Sequence, residues 1–181
     1  MRTKKLVGGV LAAGLLGVGG VAEAEVYVGA NIGSAGYNYK NVRNSMATKL
    51  YAGFVVPKIH LGVEAAYVDL GEADITDYYD EQTLHMKGSY VAGVFSYTDP
   101  DGGMGFFARV GGYSLETTVD VGFADDTEDD SGVVWGLGVS NTWSSGFGVR
   151  AEVEGYQDVE VESIGHDKTV TVYSVGVQYS F

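Results

Sequence analysis

The last nine residues of the chain, "YSVGVQYSF" (residues 173–181), decide how the rest is read. Tyr173, Val175, Val177, Tyr179 and Phe181 fall on one side of an extended strand. Ser174, Gly176, Gln178 and Ser180 fall on the other, a strict period of two. A chain of 181 residues with formal net charge −13 would ordinarily end on polar, fraying residues. An apolar terminal face closed by an aromatic asks for apolar surroundings.

The same alternation recurs upstream. Leu61, Val63, Ala65 and Tyr67 oppose His60, Gly62, Glu64 and Ala66, and Phe147, Val149, Ala151 and Val153 oppose Arg150, Glu152 and Glu154. Val133, Trp135, Leu137 and Val139 oppose Gly136, Gly138 and Ser140, while Val26, Val28, Ala30 and Ile32 oppose Tyr27, Gly29 and Asn31. Eight such segments are predicted, near 25–33, 46–56, 58–70, 84–98, 105–116, 132–143, 147–157 and 169–181. The connections alternate. Residues 34–45, 71–83, 117–131 and 158–168 are long, whereas "PK", "DPDGG" and "SSG" hold the short ones, with Pro57 and Pro100 in turns that tolerate a missing N–H. In an up-and-down meander every second connection lies at one end, so all long loops project together and both chain ends lie opposite. Greek-key sandwiches do not sort their loops in this way. The expected fold is all-β: an eight-stranded antiparallel up-and-down barrel that crosses a membrane.

Which face meets lipid is a separate question. The minority face carries Lys49, Glu64, Lys87, Arg109, Arg150, Glu152 and Glu154. A water-soluble barrel with these charges on its convex side would show the same alternation, so periodicity does not choose. The terminal Phe181, the aromatic strand ends and the loop alternation favour charges inside and lipid outside.

Composition narrows the function classes. Hydrophobic residues make up 45% of the chain, which argues against disorder. There is no cysteine, hence no disulfide or thiolate metal site. Residues 1–24 read as a cleaved signal peptide, with basic "MRTKK", an apolar core and the small-x-small site Ala22-Glu23-Ala24, leaving 25–181 as one barrel domain. Removing Arg2, Lys4, Lys5 and Glu23 takes away a net +2 and leaves −15. Such acidity disfavours nucleic acid, whose phosphates need Lys and Arg. The formal dinucleotide fingerprint from Gly17 to Ala22 has neither a strand before it nor a βαβ unit after it.

"LGVEAAY" (61–67), "FFARVGGY" (106–113), "GVRAEVEGY" (148–156) and "SVGVQYSF" (174–181) together resemble the OmpA-type eight-stranded outer membrane β-barrel proteins over residues 25–181. The resemblance implies a Gram-negative outer membrane location and a C-terminal signal, Tyr179 and Phe181, read by the barrel-assembly machinery. It also implies that Glu64 pairs with Arg150 inside the barrel. Lys87 does not align with the family lysine, and Ser140 stands near the family's interior Glu of the sixth strand, so the family's switchable gate is not carried over. The periplasmic domain of full-length members is expected to be absent.

Two constellations remain. The inward charges read most simply as a polar plug, since an eight-stranded barrel is just wide enough for side chains to fill it; the sharper reading is a small passive or gated porin-like channel. The acidic stretches, with Asp69, Glu72, Asp74, Asp77, Asp80 and Glu81 in the second loop and Asp125, Asp126, Glu128, Asp129 and Asp130 in the third, read as solvated external loops. They offer carboxylate oxygens to divalent cations, alone or shared with lipopolysaccharide phosphates. The first loop, with Tyr37, Tyr39, Lys40 and Arg43, suits adhesion to a host surface. His60, His85 and His166 have no serine placed for a lipid hydrolase, so no catalytic, cofactor or metal residue is assigned. The expectation is a non-enzymatic integral outer membrane barrel serving envelope structure or surface interaction, with outer membrane lipid and lipopolysaccharide as its surroundings.

Overall fold

Period-two alternation becomes eight strands, and the described residues hold no helix. The computed structural model describes residues 24–37, 44–76, 81–99, 103–120, 125–159 and 168–181. The signal-peptide reading of residues 1–23, the first-loop Tyr39, Lys40 and Arg43, and Asp77, Asp80 and His166 lie outside them.

The strands are β1 (Glu25–Tyr37), β2 (Ser45–Val56), β3 (Leu61–Thr76), β4 (Glu81–Thr98), β5 (Met104–Asp120), β6 (Asp125–Thr142), β7 (Phe147–Val159) and β8 (Lys168–Ser180). Each pairs antiparallel with the next, and β1 closes on β8 with Val28 opposite Tyr179 and Ile32 opposite Val175. Closure removes the exposed edges an open sheet would carry. The expected architecture is the observed one.

Closure also assigns the faces. Val28, Ile32, Leu50, Leu61, Val91, Phe106, Val110, Leu137, Val139, Val175 and Val177 stand exposed on the outside. Lys49, Glu64, Arg109, Arg150, Glu152 and Glu154 lie inside at 0–7% exposure. An apolar outside over a charged inside is the inverse of a water-soluble barrel. An exposed apolar surface this extensive marks contact with something other than water.

Three expectations need correction. Residues 58–60 form a turn rather than the start of β3: His60 N–H donates to the Val56 carbonyl at 2.9 Å, and His60 takes φ +59°. The strands are also longer than expected at the long-loop end. Asp125–Asp130 are not loop residues; they pair with Asp120–Leu115 of β5, and Asp74 and Glu81 likewise sit on β3 and β4. Apolar alternation ends where lipid would end, but backbone pairing continues into polar sequence, so hydropathy underestimates the strand. Third, Lys87 faces outward. Tyr90, Ala92 and Val94 fix the inward parity of β4 at even positions, and Lys87 sits between Asp69 and Glu116 in register on the outside.

A bulge adjusts β3 near the rim. The register slips between Asp69 and Glu72, where Gly71 adopts φ +75° and donates its N–H to Asp69 Oδ1 at 2.9 Å. A Cβ there would lie 2.2 Å from the Met46 carbonyl oxygen. Both the dihedral and the space require glycine.

Inside, glycines make room for large neighbours. The site a Cβ would take on Gly53 is 2.6 Å from the Tyr27 ring, that on Gly29 is 2.3 Å from the Tyr51 ring, and that on Gly138 is 2.2 Å from Phe107 Cζ. Small-against-large alternation is how a narrow barrel fits its interior side chains. Gly138→Val should therefore lower unfolding stability by about 1–3 kcal/mol through overpacking. Its branch meets both Phe107 and, at 2.7 Å, the Ala151 carbonyl oxygen. Urea unfolding of the refolded barrel measures this, and an unchanged midpoint would contradict the packing described.

Candidate functional site

The inward charges come from strands far apart in sequence and meet near the short-turn half of the barrel. Glu64 of β3 is the hub. Its Oε1 accepts from the Tyr90 hydroxyl at 2.6 Å and from Arg109 Nη1 at 2.9 Å. Its Oε2 accepts from the Tyr27 hydroxyl at 3.0 Å and from Arg150 Nη1 at 2.8 Å. Four donors use the lone pairs a carboxylate offers, which is what burying that charge requires.

Glu152 forms a second node. Its Oε2 accepts from Arg109 Nη1 at 3.0 Å and from Arg150 Nε at 2.9 Å. Its Oε1 accepts from Lys49 Nζ, from Asn31 Nδ2 at 2.7 Å and from the Ser174 hydroxyl at 3.3 Å. Glu154 completes the set, with Lys49 Nζ at 3.1 Å and Arg109 Nη2 at 2.5 Å. Three carboxylates and three cations balance to zero. The cations also lie against ring faces: the Arg150 guanidinium is 3.8 Å from the Phe107 centroid and 4.5 Å from that of Tyr51, and that of Arg109 is 5.4 Å from that of Tyr90.

Above the network, toward the long-loop end, the interior turns apolar. Leu70, Met86, Leu115, Val134, Val170 and Val172 are buried together, with Tyr113 and Tyr156 edge-to-face at 5.5 Å. A void of about 10 Å³ lies against Lys49, Glu154 and Tyr156, roughly one water's room. On the short-turn side a vestibule of about 110 Å³ opens beneath Tyr27, Phe107 and Arg150. The sequence of layers is thus vestibule, charge network, apolar plug.

No family model and no curated protein matches the sequence. Solved structures do. Neisserial surface protein A aligns at TM-score 0.64 and 15% identity, over 90% of this chain and 99% of that one. Ail of Yersinia pestis, solved with the heparin analogue sucrose octasulfate, aligns at 0.56 and 13%, over 87% and 97%. The N-terminal β-barrel domain of Pseudomonas aeruginosa OprF aligns at 0.53 and 13%, over 86% and 97%. The chain has the fold of the eight-stranded outer membrane β-barrels. At these identities the likeness carries the fold, and the interior has to be read from its own residues.

Of the seven charges placed inward by sequence parity, the structure brings six together and puts Lys87 outside. Tyr179 and Phe181 stand on the outer face, their rings edge-to-face at 5.0 Å, with Phe147 as close on the other side of Tyr179. Asp125–Asp130 form the β6 end of the longest hairpin. Sequence reasoning missed Tyr27, Asn31, Tyr90 and Ser174 as partners of the acids. Tyr27 and Asn31 shared the parity of the charged face, so the signal was there; a polar residue on that face is a candidate donor. His85 Nε2 sits 3.1 Å from Asp69 Oδ1 on the outer surface, away from the network.

Glu64 and Arg150 meet at 2.8 Å with both side chains buried, so removing one strands the other. Glu64→Gln and Arg150→Met should each cost about 3–5 kcal/mol. The double variant should lose less than their sum, with a coupling of about 0.5–3 kcal/mol in urea unfolding of the refolded barrel. Strict additivity would mean that the two groups do not interact.

Proposed function

We propose that this chain is a non-enzymatic integral protein of the Gram-negative outer membrane. In this reading its barrel is a closed scaffold, and its acidic outer strands serve envelope structure or contact with a surface outside the cell. One observation carries the reading: the interior is filled by a charge-balanced network capped by an apolar layer, while the outside is a belt of exposed Val, Leu, Ile and Phe. The belt suits lipid, and the filled interior suits a scaffold rather than a conduit.

The channel reading needs a continuous water path, and the layered interior opposes it. An enzyme reading needs a nucleophile beside a base, and His85 with Asp69 on the outer surface supplies only half of that pair. Tyr179 and Phe181, at the end of the closing strand pair, suit recognition by the barrel-assembly machinery. Lipopolysaccharide is the natural surrounding of the outer rim, and its phosphates would share divalent cations with carboxylates such as Glu72 and Glu116. Ail was solved with a polyanion; a net charge of −13 favours a cationic or cation-bridged partner here instead.

Reconstituted into planar bilayers, the barrel should give no sustained conductance steps. Stable open levels would put the porin-like reading in place of this one. Within cells, a protease site inserted in the 121–124 connection should be cut from outside, and one at Pro100 should be protected. Cutting at Pro100 in intact cells would invert the orientation, and recovery of the protein from the soluble fraction would end the membrane reading.

A further inference from the structure

The wall of the barrel reverses its polarity along the axis. On the short-turn side of Tyr67 and Val91 the belt turns apolar side chains outward, and the charges point inward. Beyond them the order is the opposite. Val68, Leu70, Met86 and Leu115 lie inside at 1% exposure, while Asp69, Lys87 and Glu116 turn outward, in register across β3, β4 and β5. The reversal is not confined to those strands. Past the apolar belt, the first polar residues that face outward on β1 to β6 are Ser34, Thr48, Asp69, Ser89, Ser114 and Ser131. A walk along the ladder pairs that leaves β1 at Val26 returns to it at Gly36, the offset of strands inclined about 40° to the axis. Allowing for that climb, the six form a ring near one level. The exposed aromatics Tyr97, Phe106, Phe147 and Phe181 form another at the opposite margin of the belt. Between the rings β7 rises roughly 20 Å from Phe147 to Gly155, at about 3.3 Å per residue and the same incline. Outer membrane barrels carry an apolar band about 25 Å tall, so the belt alone accounts for the hydrocarbon. Met46 alone, among the side chains described, is a large exposed apolar group past the polar ring.

Resting on the membrane reading above, we propose that this end of the barrel is a collar outside the hydrocarbon, its polar ring seated in the phosphate-bearing headgroup layer of the outer leaflet. Both faces of the wall argue for it. Turning Leu70, Met86 and Leu115 inward gains nothing beside acyl chains, which are as apolar as leucine; it stabilises only where water is the alternative. Turning Asp69, Lys87 and Glu116 outward is costly against mid-bilayer hydrocarbon and nearly free at its margin. Different residues make the two choices, and both select the same surroundings. The charges and their place then select the layer. A lysine between two carboxylates offers an ammonium to lipid phosphates and oxygens to the cations that accompany them. The ring also follows directly on the last apolar residues of each strand, so headgroups are what it meets first. The apolar plug is thus the core of the collar, and the charge network lies at the depth of the acyl chains.

The chain has no cysteine, so single cysteines placed on the outer wall report their surroundings. In the full barrel refolded into phosphatidylcholine vesicles, Lys87→Cys and Glu116→Cys should react with a membrane-impermeant maleimide about tenfold or more faster than Val91→Cys and Val110→Cys, because access to water governs thiolate attack. A bimane fluorophore on Ser114→Cys should be quenched severalfold more by lipid with a nitroxide on its headgroup than by lipid with one at mid-chain. The same fluorophore on Val110→Cys should show the opposite preference. If Lys87→Cys and Glu116→Cys label as slowly as Val110→Cys, the collar lies in hydrocarbon; that overturns the proposal and leaves the membrane reading standing. Quenching at Ser114→Cys by neither nitroxide would put the ring in bulk water and overturn the headgroup contact. Fast labelling of Val91→Cys and Val110→Cys as well would end the membrane reading, and this inference with it.

Discussion

Glu64 is the group on which the rest of the interior depends. A carboxylate at 0% exposure survives only when its charge and its lone pairs are answered, and here two guanidinium groups and two phenols do so. Each donor constrains its own strand. Tyr27 fixes β1, Tyr90 β4, Arg109 β5 and Arg150 β7, so one side chain on β3 holds the register of four other strands. Satisfying that carboxylate accounts for why tyrosines face inward on β1 and β4, where an apolar side chain would otherwise fill the space.

Room for the donors comes from the glycines. Tyr27 lies over Gly53 and Tyr51 over Gly29, a reciprocal exchange between β1 and β2, while Phe107 lies over Gly138 and supports the Arg150 guanidinium from below. Packing and electrostatics are therefore one arrangement. A side chain at Gly138 would displace the ring, and the ring holds a cation whose charge two acids need. This coupling also explains the layering. Charge concentrates where aromatic rings and glycines leave space, and the remaining length is filled with Leu, Met and Val that need no partners.

The fold was legible because two independent periodicities agreed: alternation of side chains within segments and alternation of lengths between them. The inside of the barrel was legible in part. Parity placed Glu64, Arg109, Arg150, Glu152, Glu154 and Lys49 correctly because their strands are regular through that depth. It misplaced Lys87, which lies toward the rim, where Leu70, Met86 and Leu115 turn inward and the charges Asp69, Lys87 and Glu116 turn outward, the reverse of the arrangement nearer the short turns. The bulge at Gly71 shifts β3 against β4 just beyond that row. By composition Asp125–Asp130 resemble a loop, because their charge density is that of loops; pairing of the backbone there is indifferent to that composition, as the ladder from Leu115 to Asp120 shows. Which tyrosine reaches which acid depends on strand stagger, and a single sequence holds no measure of stagger.

The spread of the network along the chain bears on how the barrel can be assembled. Asn31 reaches Glu152 across 121 positions, and Lys49 reaches the same carboxylate across 103. A half-built sheet of β1 to β4 would carry Lys49 and Glu64 without Arg109, Arg150, Glu152 or Glu154, and unpaired charges are expensive in hydrocarbon. Strands delivered to the bilayer one after another would meet that cost at every step. Every charge finds its partners only once β5 and β7 have joined β2 and β3 across the interior, which favours closure before, or together with, passage into lipid. The interior thus acts as a completeness check: a truncated or mispaired barrel is left with charge that the membrane itself rejects.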